Sequence, residues 1–311
     1  MQRNVRMLTA VATIGAALSV SACSSAGAAG SAGGPGHQIV VVGAENEYTS
    51  VIQQVGGKYV QASAIMSNPN TDPHTFEASA SVAREVGGAQ LVVQNGVGYD
   101  TFMDSIEKAV PDSSRKLIDV QKLLGLPDST PNPHLWYKPS TMPAVANAVA
   151  SDLAAIQPAH ASYFRANARA FISSLSAWNQ AVAAFRKTYP DTPVAVTEPV
   201  ADYLLQAAGA DIRTPFAFQA DVMNGTDPSA QDVAFQRSLF TQHKVKVFLY
   251  NQQVTDTLTQ SFIALARSND IPVVGVYETM PTPGYTYQSW MLAETKALQQ
   301  AVASKKSTEK L

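Results

Sequence analysis

Runs of apolar, mostly β-branched residues alternate along this chain with segments whose apolar positions recur at helical spacing. "IVVVGA" (39–44), "YVQASAIM" (59–66), "LVVQNG" (91–96) and "KLIDV" (116–120) form a first group of strand patterns, with helical patterns over 48–55, 79–87 and 101–109. A second group repeats the theme. "PVAVT", "VKVFLYN" and "IPVVGVYE" alternate with helical patterns over 200–208, 229–242, 257–267 and 287–302. Strands that alternate with helices predict an α/β fold of parallel sheets and crossover helices. The strand runs are continuously apolar rather than alternating, which predicts sheets covered on both faces.

Residues 160–188, between the two groups, contain neither Gly nor Pro, and Phe164, Ala168, Phe171, Leu175, Trp178, Val182 and Phe185 recur at steps of four and three. That spacing is one face of a helix, which at 1.5 Å per residue is a rod about 43 Å long. The chain thus divides into an N-terminal α/β lobe (37–159), a rigid linker helix (160–188) and a C-terminal α/β lobe (189–311).

The first residues have a different character. Arg3 and Arg6 precede "MLTAVATIGAALSV", an apolar stretch too short to span a bilayer comfortably, so residues 1–22 read as a secretory signal peptide. "VSAC" resembles a bacterial lipobox, with Cys23, the only cysteine of the chain, as the lipid-carrying new N-terminus. The Gly-, Ala- and Ser-rich residues up to 36 read as a flexible tether. The expected location is the extracytoplasmic face of a membrane, reached through a lipid. A single cysteine leaves no disulfide and no thiolate for a metal. The formal net charge of −2 argues against nucleic acid as a partner.

Ligands of open α/β sheets gather beyond the carboxyl ends of the strands. His74 lies there in "SNPNTDPHTFEAS", His134 in "PNPHLWYKP", Glu198 directly after "PVAVT", and Glu278 at the end of "IPVVGVY". Asp72-Pro73-His74 and Asn132-Pro133-His134 are one device used twice: proline fixes its own φ and restricts the residue before it, so the histidine is aimed by stiff backbone. Two neutral imidazoles and two carboxylates carry a formal charge of −2, which cancels a divalent cation, and burial favours such cancellation. Structural roles compete. Glu198 precedes Pro199 at a helix start, where a carboxylate suits the helix end, and Glu278 is compatible with a surface strand end. His37, His160 and His243 read as surface residues.

"NPNTDPHTFEAS" with "AREVGGAQLVVQNGVGYDTFM", then "NPHLWYKPSTMPAVANAVASDL", "TEPVADYLLQAAG" and "VYETMPTPGYTYQSWML", resemble the metal-receptor (zinc and manganese) solute-binding lipoproteins of bacterial ABC importers. The resemblance implies two α/β lobes joined by one long helix, with a metal site in the cleft between them. His74 and His134 are then the ligands of the first lobe, and Glu198 and Glu278 those of the second. It further implies a monomer that hands one divalent ion, zinc or manganese, to a membrane permease, with no catalysis and a small tilt on release. Carboxylates lean toward manganese and imidazoles suit zinc. Two rival readings stay open at this point. One is a receptor for an organic solute, its cleft lined by Trp136, Tyr137, Tyr250, Tyr285 and Tyr287. The other is a metal-dependent hydrolase, although no H-E-x-x-H or G-x-S-x-G pattern occurs.

Overall fold

The computed structural model describes residues 37–69, 76–281 and 283–311. The expected signal peptide, Cys23 with its tether, and His74 lie outside them. Among the described residues, β1 (Ile39–Glu45), β2 (Val60–Met66), β3 (Leu91–Gln94) and β4 (Lys116–Asp119) form one parallel sheet in the order β2-β1-β3-β4. A second parallel sheet has the order β6-β5-β7-β8, from β5 (Pro193–Val196), β6 (Asp211–Ile212), β7 (Val247–Asn251) and β8 (Val273–Val276). The second sheet repeats the topology of the first. In both, strand order reverses beside the first strand, which makes the carboxyl ends of β1/β3 and of β5/β7 the switch points where ligands bind. The two-residue β6 is too short to leave an apolar run, which is why the sequence pattern does not announce it.

The first sheet is accompanied by α1 (Asn46–Gly56), α2 (Ala80–Gly87), α3 (Thr101–Ala109), α4 (Val120–Leu123) and α5 (Thr141–Ile156), the second by α8 (Asp202–Ala207), α9 (Phe216–Met223), α10 (Ala230–Thr241), α11 (Thr257–Ser268) and α12 (Tyr287–Ser304). Inner strands are fully buried, as their continuous hydrophobicity predicts: Val41, Val42, Leu91, Val92, Val93, Val247 and Phe248 expose nothing. Among the described residues no helix is long and apolar enough to cross a membrane.

The expected linker rod is α6 (Ala161–Ser174) followed by α7 (Ser176–Thr188), with a one-residue interruption at Leu175. The cause is local. Ser174 Oγ donates to the Phe171 carbonyl at 2.6 Å, the acceptor that the Leu175 N–H would otherwise use, and that N–H turns to Ile172 O at 3.3 Å instead. Such back-bonding by serine competes with the helical ladder. The apolar stripe nevertheless runs through both segments, with Phe164, Phe171, Leu175, Trp178 and Phe185 all buried.

One hydrophobic cluster takes in residues of both sheets, the linker helices and α12. Trp178 of α7 is fully buried in it, its indole N–H donating to Thr295 Oγ1 at 3.1 Å and its ring edge-on to Tyr287 at 5.8 Å. α1 meets the start of α12 directly: Ser50 Oγ accepts the Tyr287 N–H at 3.2 Å, and the Gln54 and Gln288 amides pair. Beyond α12 the chain returns to the edge of the second sheet. There Thr308 bridges Val274 in parallel register, and Glu309 meets Arg267 at 2.5 Å. Gly275 lies under this return: a Cβ there would collide with the Glu309 carbonyl.

Removing a fully buried indole leaves a cavity as well as a lost transfer term, so Trp178→Ala should lower unfolding free energy by about 3–5 kcal/mol. Urea denaturation checks this; a loss within the range of an ordinary surface change would show that the linker does not anchor the core.

Candidate metal centre

His134 follows Pro133 and leads into a short 3-10 turn, Leu135–Tyr137. Its side chain is fully buried, edge-on to Tyr99 and Trp136 at 5.9 and 5.4 Å between centroids. Asn132 sets its tautomer. The Asn132 amide nitrogen donates to Pro199 O at 2.8 Å, which leaves Oδ1 to accept the His134 backbone N–H at 3.0 Å and to face ring Nδ1 at 2.8 Å. Since Oδ1 only accepts, Nδ1 carries the proton and the neutral ring presents its lone pair at Nε2. A metal-binding imidazole is commonly oriented by such a partner on its other nitrogen. Nε2 stands 3.4 Å from Glu278 Oε2. Two acceptors this close are reconciled by a cation, either a proton on the ring or a metal.

Glu278 follows β8 by two residues and is fully buried, so it is no surface strand end. The β7 loop fixes it: Gln253 Oε1 accepts the N–H of Glu278 at 2.6 Å and that of Thr279 at 2.8 Å. Asn251 completes the arrangement. Its Oδ1 accepts the Gln253 N–H at 2.9 Å, which turns its amide nitrogen toward the carboxylates, 2.5 Å from Glu278 Oε1 and 3.3 Å from Glu198 Oε2. Tyr99 donates its hydroxyl to Glu278 Oε2 at 3.0 Å. Glu198 is 3% exposed and lies four residues ahead of α8, whose N-cap is Ala201, so it does not cap that helix.

Three of the four sequence-predicted donors are therefore gathered: His134 and Glu278 as a pair, and Glu198 one amide away. Among the described residues, no three His, Cys, Asp or Glu side chains stand as a group able to hold a metal ion, and His74 lies outside the described residues. Asn251, Gln253 and Tyr99 went unnoticed in the sequence, as did the role of Asn132 as the partner of His134. Asn132 alone had a signal there, its place in the repeated X-Pro-His device.

The other lobe contributes buried acids that sequence reasoning also missed. Glu45 ends β1, Glu47 is in the first turn of α1, and Asp100 follows the β3 loop. Asp100 accepts the backbone N–H groups of Asn95 and Gly96 at 2.6 and 2.9 Å, yet burial raises its carboxyl to about 7. Glu45 is pushed well above the carboxylate range by burial first, then by Asp100 and Glu47. Glu47 is raised by burial; its own backbone amide opposes this, and the charges of Glu278 and Asp100 add to it. None of the ion pairs among the described residues involves these three acids. The α1 dipole favours an acid at its N-terminus by about 0.3–1 kcal/mol, whereas burying an unpaired ion costs several kcal/mol. The dipole does not account for Glu47.

Three of the five aromatics named for an organic-solute cleft are used elsewhere. Trp136, Tyr137 and Tyr287 are fully buried in the core, and Tyr287 donates to Trp136 O at 2.6 Å. Tyr137 meets Glu294 Oε2 at 2.7 Å, and the Trp290 indole donates to Oε1 at 2.7 Å. The Tyr277 N–H, one residue before Glu278, also reaches Glu294 at 3.3 Å. Glu294 thereby ties the His134 loop to the Glu278 loop. His160 stacks on Tyr59 at 3.8 Å, while His37 and His243 are exposed.

Burial raises Glu294 to about 8 and Asp202 to about 7, alongside Asp100 at about 7. The folded chain thus keeps protons that the unfolded chain releases in the ordinary carboxylate range. Their stabilising effect is complete below that range and is lost as pH rises toward 8. The metal-stripped protein should therefore unfold at lower urea at pH 8 than at pH 5, and Glu294→Gln should flatten the dependence. A midpoint that rises with pH would contradict these assignments.

Comparison with known proteins agrees with this architecture. The profile of the family described as zinc-uptake complex component A, periplasmic (ZnuA), matches residues 41–301. The manganese-binding lipoprotein MntA of Bacillus subtilis is 22% identical over 144 residues, 44% of this chain and 47% of that protein, so the chain spans about half the length of this curated relative. Two solved structures share the fold. The solute-binding protein FpvC of Pseudomonas aeruginosa, in complex with Mn2+, has a TM-score of 0.70 at 20% identity, covering 86% of this chain and 99% of its own. The periplasmic zinc-binding protein TroA of Treponema pallidum has a TM-score of 0.72 at 17% identity, covering 87% and 100%. Because the family profile spans both sheets, the linker helices and most of α12, the chain belongs to the family of zinc-uptake complex component A periplasmic proteins.

Proposed function

We propose that this protein is an extracytoplasmic solute-binding lipoprotein that captures one divalent transition-metal ion, zinc or manganese, and delivers it to the permease of an ABC importer. As a member of its family it is a transport component and not an enzyme. The observation that carries the reading is the buried meeting of His134 Nε2 and Glu278 Oε2 at 3.4 Å, with Nδ1 already committed to Asn132. This pair lies at the junction of two parallel sheets, and Asn251 links it to Glu198.

His74 and His134 supply nitrogen from the first lobe, and Glu198 and Glu278 supply oxygen from the second. Imidazole with carboxylate suits borderline and harder divalent ions, and the formal charges of donors and cargo cancel. Such a donor set explains why a fully buried carboxylate is tolerated beside an acceptor nitrogen. That MntA is manganese-binding, FpvC is solved with Mn2+ and TroA is zinc-binding supports a divalent metal as cargo. The lipid on Cys23 moors the chain within reach of the permease. Because the Glu294 hub ties two of the donor loops together, release proceeds by a local change around His74 or Glu198 rather than by wide separation of the lobes.

A soluble chain beginning after Cys23, stripped with chelator, should bind one Mn2+ or Zn2+ and melt several degrees higher when loaded. His74→Ala, His134→Ala and Glu198→Ala should each weaken binding by about tenfold or more. Affinity should also fall as pH drops through about 6.5, where imidazole takes up a proton. Binding indifferent to all three substitutions would return the cleft to another ligand.

A further inference from the structure

The peptide unit that joins Pro133 to His134 is held at both ends by asparagine side chains. Asn132 Oδ1 takes its N–H at 3.0 Å, and Asn95 Nδ2 donates to its carbonyl at 2.8 Å. Asn95 stands directly beyond β3 and exposes nothing. Its amide has one possible orientation. Nδ2 faces two carbonyls, Pro133 O at 2.8 Å and Gly96 O at 3.0 Å, which only accept, while Oδ1 receives the Tyr48 hydroxyl at 2.5 Å. The backbone of Asn95 is used as fully. Asp100 Oδ2 takes its N–H at 2.6 Å, and its carbonyl takes the Gln121 N–H at 3.0 Å. One buried residue thereby ties α1, α4 and the His134 loop to the end of β3.

The loop that Asn95 opens also serves the other member of the buried pair. Tyr99 donates its hydroxyl to Glu278 Oε2 at 3.0 Å, the same oxygen that faces His134 Nε2. Between Asn95 and Tyr99 the backbone is unusual. Gly96, Val97 and Gly98 all have positive φ, at 77°, 54° and 72°. For the β-branched Val97 this is a strained conformation, which persists only where the surroundings over-determine it. They do so here: Asp100 Oδ1 takes the Gly96 N–H at 2.9 Å, and Gln121 Oε1 takes the Val97 N–H at 2.6 Å. A loop locked in this shape extends one arm to the His134 backbone and another to the Glu278 carboxylate.

We propose that Asn95 and Tyr99 are positioning residues of the capture site, and that the loop 95–100 sets the approach of His134 Nε2 to Glu278 Oε2. The effect on affinity rests on the metal-receptor reading above, whereas the geometry is a property of the chain itself. Without the Asn95 amide, the Pro133 carbonyl keeps only the Leu135 N–H at 2.7 Å, and the peptide plane ahead of His134 can tilt. Tilting draws the ring away from Asn132, so the Nδ1 proton loses its fixed acceptor. Without the Tyr99 hydroxyl, Glu278 Oε2 loses a donor that holds it in place.

The test compares wild type with Asn95→Ser and Tyr99→Phe in the soluble chain beginning after Cys23. Zn2+ affinity is measured by chelator competition, and exchange of the His134 Nδ1 proton by NMR of the metal-free protein. Asn95→Ser shortens the arm that reaches Pro133 without adding charge. It should weaken Zn2+ binding by about tenfold or more and speed exchange of the Nδ1 proton by a similar factor. Tyr99→Phe removes one hydroxyl and should also weaken binding by about tenfold. Phe240→Leu, in the separate hydrophobic cluster beside the second sheet, is the control: it should melt lower yet leave both readings unchanged. Should Asn95→Ser fail to fold, Tyr99→Phe decides by affinity. Wild-type affinity and exchange in the folded variants would overturn the proposal, as would an equal loss of affinity in Phe240→Leu. If His134→Ala leaves Zn2+ binding intact, the metal-receptor reading fails, and proton exchange alone then decides the role of Asn95.

Discussion

Carboxylates buried close to the ends of the strands govern the centre of this molecule. Glu45, Glu47, Asp100 and Glu278 are each no more than 2% exposed, and they gather where the carboxyl ends of two parallel sheets approach one another. Desolvation of an ion is expensive enough that such groups hold a proton, share one or await a cation. The surrounding polar groups are arranged accordingly. Asn132, Asn251 and Gln253 each have one end of the amide fixed by backbone, so the other end is aimed without ambiguity. The fold thus concentrates unfavourable charge and surrounds it with amides whose orientation is already decided.

Two levels of order produce this concentration. A doubled sheet topology brings two switch points to one junction. A shared hydrophobic cluster then removes any seam between the halves, because Trp178, Tyr287 and Trp290 pack across the linker and α12 in one continuous core. A receptor built this way trades range of motion for precision. The mutual placement of His134 and Glu278 depends on a 140-residue closure made through Tyr137 and Tyr277.

Much of this was legible from the chain. Continuous apolar runs marked the inner strands because burial on both faces leaves no polar alternation, and the strand-end rule led to His134, Glu198 and Glu278. The two-residue β6 and the break at Leu175 were hidden because each depends on a few hydrogen bonds rather than on a repeating pattern. Glu45 and Glu47 escaped notice because an acid at a helix start has an ordinary explanation in the helix dipole, and only the observed burial removes it. Asn251 and Gln253 were equally silent. An amide in a loop carries no sign of what it will orient until the fold supplies its neighbours.

The return of the chain over β8 has a consequence outside the metal chemistry. A sheet's last strand presents unpaired backbone groups, an invitation to edge-to-edge association with another copy. Here Thr308 pairs with that edge, exchanging backbone hydrogen bonds with Val273 and Gly275 at 2.9 Å each. Gly275 admits this cover because it has no side chain to hold Glu309 away. A larger residue at 275 leaves the His134–Glu278 pair in place but lifts the cover, and its signature is self-association of an otherwise folded protein.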